Sequence, residues 1–135
     1  KQENWYMKTG EKVHQELEKM KKIPRSIEIP IYKFAQTMKV LFGEHLNKVI
    51  VYGSYARGDY RDDSDIDIMI LLDLSDMDIK QYRHELSGET FDFNMDHDLD
   101  IKPIAKSQQH FQNWVDAYPF YANVEKEGVK LFEAA

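Results

Sequence analysis

Apolar residues fall into two rhythms along this chain. Over residues 30–42, Ile31, Phe34, Ala35, Met38, Leu41 and Phe42 recur at steps of three and four. That spacing makes one broad apolar face and predicts a helix with Pro30 at its first position and Gly43 at its close. Residues 11–22 carry a thinner stripe, Val13, Leu17 and Met20, among many charges and ahead of Pro24, so a peripheral helix is expected there. The period then shortens. Residues 48–52 (KVIVY) read as a β-branched strand running into the turn pair Gly53-Ser54. Residues 65–72 (DIDIMILL) alternate polar and apolar and then become wholly apolar, the pattern of a strand buried at one end.

Further on, Ser75 with Asp78 forms a capping box that should open a helix carrying Ile79, Tyr82 and Leu86. Residues 99–104 (LDIKPI) predict a third strand, with Pro103 at an edge or bulge. Ser107 is placed to cap a helix bearing Phe111, Trp114 and Val115. A last helix over about residues 119–127 should stop at Gly128, ahead of the apolar residues 129–132. This order predicts an α/β (α+β) fold, a small mixed sheet with helices packed on one face. A chain of 135 residues makes a single domain, with an N-terminal helical segment over about 3–43 and a core over about 44–132.

Composition narrows the chemistry. There are no cysteines, which excludes disulfides and thiolate metal sites and suits a reducing compartment. The longest apolar run, residues 68–72, is too short to cross a bilayer, and no signal-peptide pattern opens the chain, so a cytoplasmic protein is expected. The net charge of −6 argues against a protein that grips nucleic acid phosphates. The acid is also uneven. Residues 59–67 hold five aspartates and one arginine, and residues 92–100 hold four aspartates and no Lys or Arg. Those two stretches carry −8 together, leaving +2 for the rest. If they meet in the fold they repel one another unless a cation lies between them.

The pattern that carries chemistry is Gly53-Ser54, ten residues, then Asp65-Ile66-Asp67. A glycine after a strand lets backbone approach a phosphate, and the serine hydroxyl can bind its oxygens. Ser54-Tyr55-Ala56-Arg57 reads as the first turn of a short helix, whose free N–H groups favour an anion. Arg57 stands between a phosphate contact and a salt bridge with Asp59 or Asp62. Asp65 and Asp67, two apart on a strand, project from one face roughly 6.6 Å apart. Carboxylates so placed can share a pair of metal ions about 3.5 to 4 Å apart. An Asp-x-Asp alone is a weak signal; its setting between two predicted strands after Gly-Ser sharpens it.

The stretch GSYARGDYRDDSDIDIMI resembles the signature of the DNA polymerase β-type nucleotidyltransferase superfamily, and within it the minimal nucleotidyltransferase (MNT) group. The specific likeness covers about residues 48–72, with looser agreement over 99–132. The tail PFYANVEKEGVKLF is similar to the ends of stand-alone MNT proteins. The resemblance implies that Gly53 and Ser54, with Arg57, bind the triphosphate of an NTP, and that Asp65 and Asp67 bind two magnesium (or manganese) ions. The family's third carboxylate maps to Asp100, flanked by Leu99 and Ile101, ahead of Asp98, which follows His97 but should share its strand face. It also implies in-line attack of an acceptor hydroxyl on the α-phosphorus, with Asp100 as metal ligand and proton acceptor.

Stand-alone proteins of this group often serve as antitoxins that place AMP on a tyrosine of a HEPN-domain toxin. The expected function is therefore transfer of an NMP, AMP from ATP foremost, to a hydroxyl of such a partner. The alternatives are a transferase for a small aminoglycoside-like molecule and a catalytically idle binding partner. No membrane or nucleic acid partner is expected. Asp59, Asp62 and Asp63 read as solvated surface, and Lys102 as a phosphate contact or a neutraliser of the acidic cluster. Tyr52, Tyr55 and Tyr60 read as packing residues or as a surface for a base.

Overall fold

A computed structural model describes residues 14 and 17–135. Val13 of the first expected helix lies outside them. Residues 17–20 are helical, Leu17 is exposed, and the chain turns at 21–23, where Ile23 N–H meets Met20 O at 3.1 Å. The main helix, α1 (Arg25–Phe42), starts five residues earlier than Pro30 suggests. Pro24 sets its start instead: its carbonyl accepts from Ile27 and Glu28 N–H at 2.9 and 2.8 Å. Pro30 thus lies inside the helix. The one hydrogen bond it removes would end on the carbonyl of Ser26, an exposed residue in the first turn, where water can take its place.

A single turn over Gly43–His45 leads into β1 (Leu46–Tyr52), followed by the short helix α2 (Ser54–Arg57) and β2 (Ile66–Leu72). Helices α3 (Asp76–Lys80) and α4 (Arg83–His97) cross to β3 (Ile101–Ser107), then α5 (Gln108–Trp114), α6 (Pro119–Glu127) and β4 (Val129–Glu133) complete the order. The capping signals hold. Ser75 Oγ accepts from Asp78 N–H at 3.1 Å and Ser107 Oγ from His110 N–H at 3.2 Å. Gly128 closes α6, its N–H on Val124 O at 2.9 Å.

The helix expected after Ser75 is broken in two. At its junction Gln81 and Tyr82 donate to carbonyls three residues back, a tighter turn that swings the axis. Tyr82 is held there against Phe42, with ring centroids 5.0 Å apart. Residues 129–132, unassigned above, form most of an edge strand.

The sheet order is β3-β2-β1-β4, with β1 antiparallel to both β2 and β4 and β2 parallel to β3. Pro103 lies on edge strand β3, where an absent N–H is tolerated. The mixed α+β class therefore stands, but the helices lie on both faces rather than one. Along β2, Ile66, Ile68, Ile70 and Leu72 join the core with α1 and Phe93 of α4. Met69 and Leu71 point the other way and pack with Ile50 of β1, Phe111 of α5, and Tyr121 and Val124 of α6. A strand apolar on both sides needs cover on both. That second face is the one that also carries Asp67, two residues before Met69. No helix among the described residues is long and apolar enough to cross a membrane.

Candidate active site

The site begins where β1 ends. Gly53 has φ 78° and ψ −152°, a conformation that only glycine adopts without strain. A Cβ there would overlap Asp67 Oδ2 and lie 3.3 Å from Asp67 Cγ. The glycine is thus needed for more than a turn: it lets a carboxylate pack against the backbone. Gly53 O then accepts from Arg57 N–H at 3.0 Å, and Ser54 O from Gly58 and Asp59 N–H at 2.8 and 3.1 Å. Tyr55, buried in the main core, stacks on Tyr60 at 4.6 Å and 10°, which fixes the loop that follows. Arg61 N–H on Ser64 Oγ (2.7 Å) and Ser64 N–H on Arg61 O (3.0 Å) then set the turn before Asp65.

Pairing brings the acids together. Tyr52 is the partner of Asp67 across β1 and β2, and Asp67 that of Lys102 across β2 and β3. Asp65 and Asp100 sit one residue ahead of β2 and β3, whose first residues, Ile66 and Ile101, are register partners. Ile66 N–H donates to Asp100 O at 2.9 Å, and the Asp65 carboxyl lies beside that of Asp100. That contact is the main reason the Asp65 pKa is raised, with some desolvation and the Asp100 charge adding to it and Lys102 opposing. Asp67 is raised too, by burial first and then by the charge of Asp65, against Arg57 and Lys102. Lys102 Nζ lies 3.6 Å from Asp100 Oδ1, an exposed pair that neutralises part of the cluster.

Asp98 does not share a strand face with Asp100. It is the left-handed cap of α4 (φ 53°, ψ 51°), where the chain must reverse before β3 can begin, and its N–H bonds Asn94 O. The sequence motif could not separate the two aspartates; the helix end does.

A cleft of about 360 Å³ opens beside these residues, lined by Gly53, Ser54, Arg57, Ser64, Asp65 and Asp67. Its far wall is α6, with Phe120, Asn123, Val124 and Glu127, none of which the sequence pattern singled out. The periodicity of α6 marks a helix and says nothing about what faces it. Tyr52 lines the cleft as well, edge-on to Phe120 at 5.6 Å. Burial, helped by the charge of Asp67, pushes its hydroxyl up to about 12, so it is a neutral donor at any ordinary pH. Arg57 takes the salt-bridge alternative in part: Nε is 3.3 Å from Asp59, and one terminal nitrogen is 3.8 Å from Glu127, tying α2 to α6. It still faces the cleft. Asp59, Asp62 and Asp63 are exposed, as expected.

These donors are oxygens only, which suits a hard divalent cation such as magnesium or manganese. Among the described residues no three acidic or histidine side chains close around one point. The carboxyls instead form a row, Asp67 beside Asp65 and Asp65 beside Asp100, where a cation would relieve the like charges.

Comparison with known proteins bears on this arrangement. The nucleotidyltransferase domain profile matches residues 31–124. Two proteins of Methanocaldococcus jannaschii, both provisionally named protein adenylyltransferases, are similar over 105 residues. One is 33% identical and the other 30%, and each alignment covers 78% of this chain and 97% of the relative.

Proposed function

The chain belongs to the nucleotidyltransferase domain family, as a minimal nucleotidyltransferase, and on that premise we propose that it moves AMP from ATP to a hydroxyl of a partner protein. In this reading Asp65, Asp67 and Asp100 hold two divalent cations, and Gly53, Ser54 and Arg57 hold the triphosphate. One observation carries it above the others: Asp65 and Asp100 stand side by side ahead of the register partners Ile66 and Ile101, at the rim of a cleft that Ser54, Asp65 and Asp67 line. Two acids so close have a chemical reason to stay there when cations join them.

The chain's own residues divide the work. Ser54 Oγ and the free N–H groups of the first turn of α2 hold triphosphate oxygens. Arg57, shared between Asp59 and Glu127, supplies positive charge at the same edge. Asp100, the exposed end of the row, faces the incoming acceptor and takes the proton of its hydroxyl. The acceptor oxygen bonds to the α-phosphorus as the bond to the β-phosphate oxygen breaks, and pyrophosphate leaves. The cations, when bound, lower the pKa of the acceptor hydroxyl and neutralise charge on the leaving group.

The names of the two relatives favour a protein acceptor, and the likeness of the tail to stand-alone MNT proteins favours a HEPN-domain toxin modified on tyrosine, with this chain as antitoxin. The test is incubation with α-phosphate-labelled ATP, manganese and a candidate toxin. Label should appear on the toxin with the wild type and vanish with Asp65→Asn. Equal labelling by both proteins would remove the proposed site.

A further inference from the structure

We propose that Asn94 is a positioning residue that sets Asp100 for the transfer reaction; this rests on the reading of Asp100 given above. Asn94 lies on α4 and was no part of any motif. Its Oδ1 accepts from Ile101 N–H at 2.9 Å and its Nδ2 donates to Ile101 O at 3.1 Å. β3 is an edge strand, and alternate residues on such a strand turn their N–H and C=O away from the sheet. Ile101 is one of these, because its neighbour Asp100 uses its carbonyl to accept from Ile66 of β2. The Asn94 carboxamide therefore stands in for one residue of a missing fifth strand.

The consequence concerns a single peptide unit. The bond joining Asp100 to Ile101 is held at its carbonyl by Ile66, the residue after Asp65, and at its N–H by Asn94. Both ends of one rigid plane are thereby pinned next to the Asp100 Cα. Asp100 itself precedes β3 and its side chain is exposed, so packing does little to hold it. The backbone carbonyl of Asn94 adds to the same clamp, accepting from Asp98 and Leu99 N–H as α4 ends. Without the carboxamide, the Asp100–Ile101 peptide unit keeps only the Ile66 bond. Groups that orient a ligand from behind are typically worth about 10- to 100-fold in metal affinity or activity.

The experiment compares wild type, Asn94→Leu, Asn94→Asp and Asp65→Asn. Asn94→Leu keeps the shape and loses both bonds. Asn94→Asp keeps the acceptor for Ile101 N–H and loses the donor, and it serves if Asn94→Leu fails to fold. Circular dichroism checks folding, calorimetric titration with manganese alone measures ion binding, and labelled ATP gives kcat and KM. Asn94→Leu should weaken manganese binding and lower kcat, each by about 10- to 100-fold. The KM for ATP should stay within about threefold, since Ser54 and Arg57 are untouched. Asn94→Asp should fall between Asn94→Leu and wild type in kcat. If both folded variants bind manganese and turn over like wild type, or if the KM rises as much as kcat falls, the positioning role is wrong. If Asp65→Asn is itself fully active, the site reading has failed first, and the inference goes with it.

Discussion

Replacing Gly53 by alanine isolates the contact on which the row of acids depends. Two costs follow from the geometry. The backbone at φ 78° and ψ −152° lies where a side chain is strained, by about 1–3 kcal/mol. The new methyl would also overlap Asp67 Oδ2, so the carboxylate must turn away. For a domain between the 100- and 150-residue classes, each kcal/mol moves the melting temperature by roughly 3–6 °C. Gly53→Ala should therefore lower Tm by about 3–18 °C. A displacement of about 1 Å at a reacting centre costs on the order of 100-fold in rate, so labelled-ATP transfer should fall at least that far.

Gly58→Ala is the control. Gly58 also has a positive φ, 91°, yet its added methyl would sit 3.4 Å from Lys22 Cβ, an ordinary contact remote from Asp67. It should lose some stability and keep transfer within about threefold of wild type, as expected when the reacting geometry is intact. Repeating Gly53→Ala in an Asp67→Ala background removes the overlap, so the alanine should cost less there, and the difference is read from a double-mutant cycle. Should Gly53→Ala transfer AMP as fast as Gly58→Ala does, the reasoning from Asp67 packing fails.

The metal reading makes its own demand on thermal melts. Excess manganese at about a hundred times its dissociation constant should stabilise wild type by about 2.7 kcal/mol and leave Asp65→Asn almost unmoved; equal shifts in both would mean the acids form no common site. In the metal-free protein the pKa values of Asp65 and Asp67 are raised, so their contribution to stability is fully present below the unfolded carboxylate pKa of about 3.9 and is lost as pH rises through the folded values. Asp65→Asn should thus gain stability relative to wild type between about pH 4 and pH 7 in EDTA, and a constant difference across that range would contradict the cause assigned to the shift. Asp100→Asn should lower the rate by several orders of magnitude, whereas Asp98→Gly should leave it unchanged and stabilise by about 0.5–1 kcal/mol, because glycine suits the left-handed cap of α4. Kinetics and a melt of each variant decide that comparison.

What could be read from the chain and what could not divide along a physical line. β1 and β2 were legible because their alternation is local, and Gly53-Ser54 and Asp65-x-Asp67 are fixed by the turn and strand they occupy. The caps Ser75, Ser107 and Gly128 were legible for the same reason. Helix α4 was not. Its buried positions, Thr90 and Phe93, are few, while Phe91 and Met95 lie exposed on the same helix and blur the period. Missing the end of α4 left Asp98 and Asp100 looking like neighbours on one strand. The α6 wall and Asn94 were illegible in a stronger sense, since each acts through a partner distant in sequence or through backbone that no residue type encodes.

The parallel pairing of β2 and β3 explains how acids 35 positions apart come side by side. Ile66 and Ile101 are register partners, so whatever precedes them must also be adjacent. The crossover through α3 and α4 has to bury its apolar side, return at the right height and, through Asn94, hold the start of β3. Register then matters more than crossover sequence. Slipping β2 by one residue would turn Asp67 into the main core and Ile68 into the cleft. That slip is opposed on both sides of the strand: β1 sets Tyr52 against Asp67, and β3 sets Lys102 against it. With Ile66, Ile68, Ile70 and Leu72 filling one face and Met69 and Leu71 the other, a one-residue slip strands a carboxylate among apolar side chains. The same burial that stabilises the sheet therefore fixes which end of it carries charge, and the cleft lies at that end.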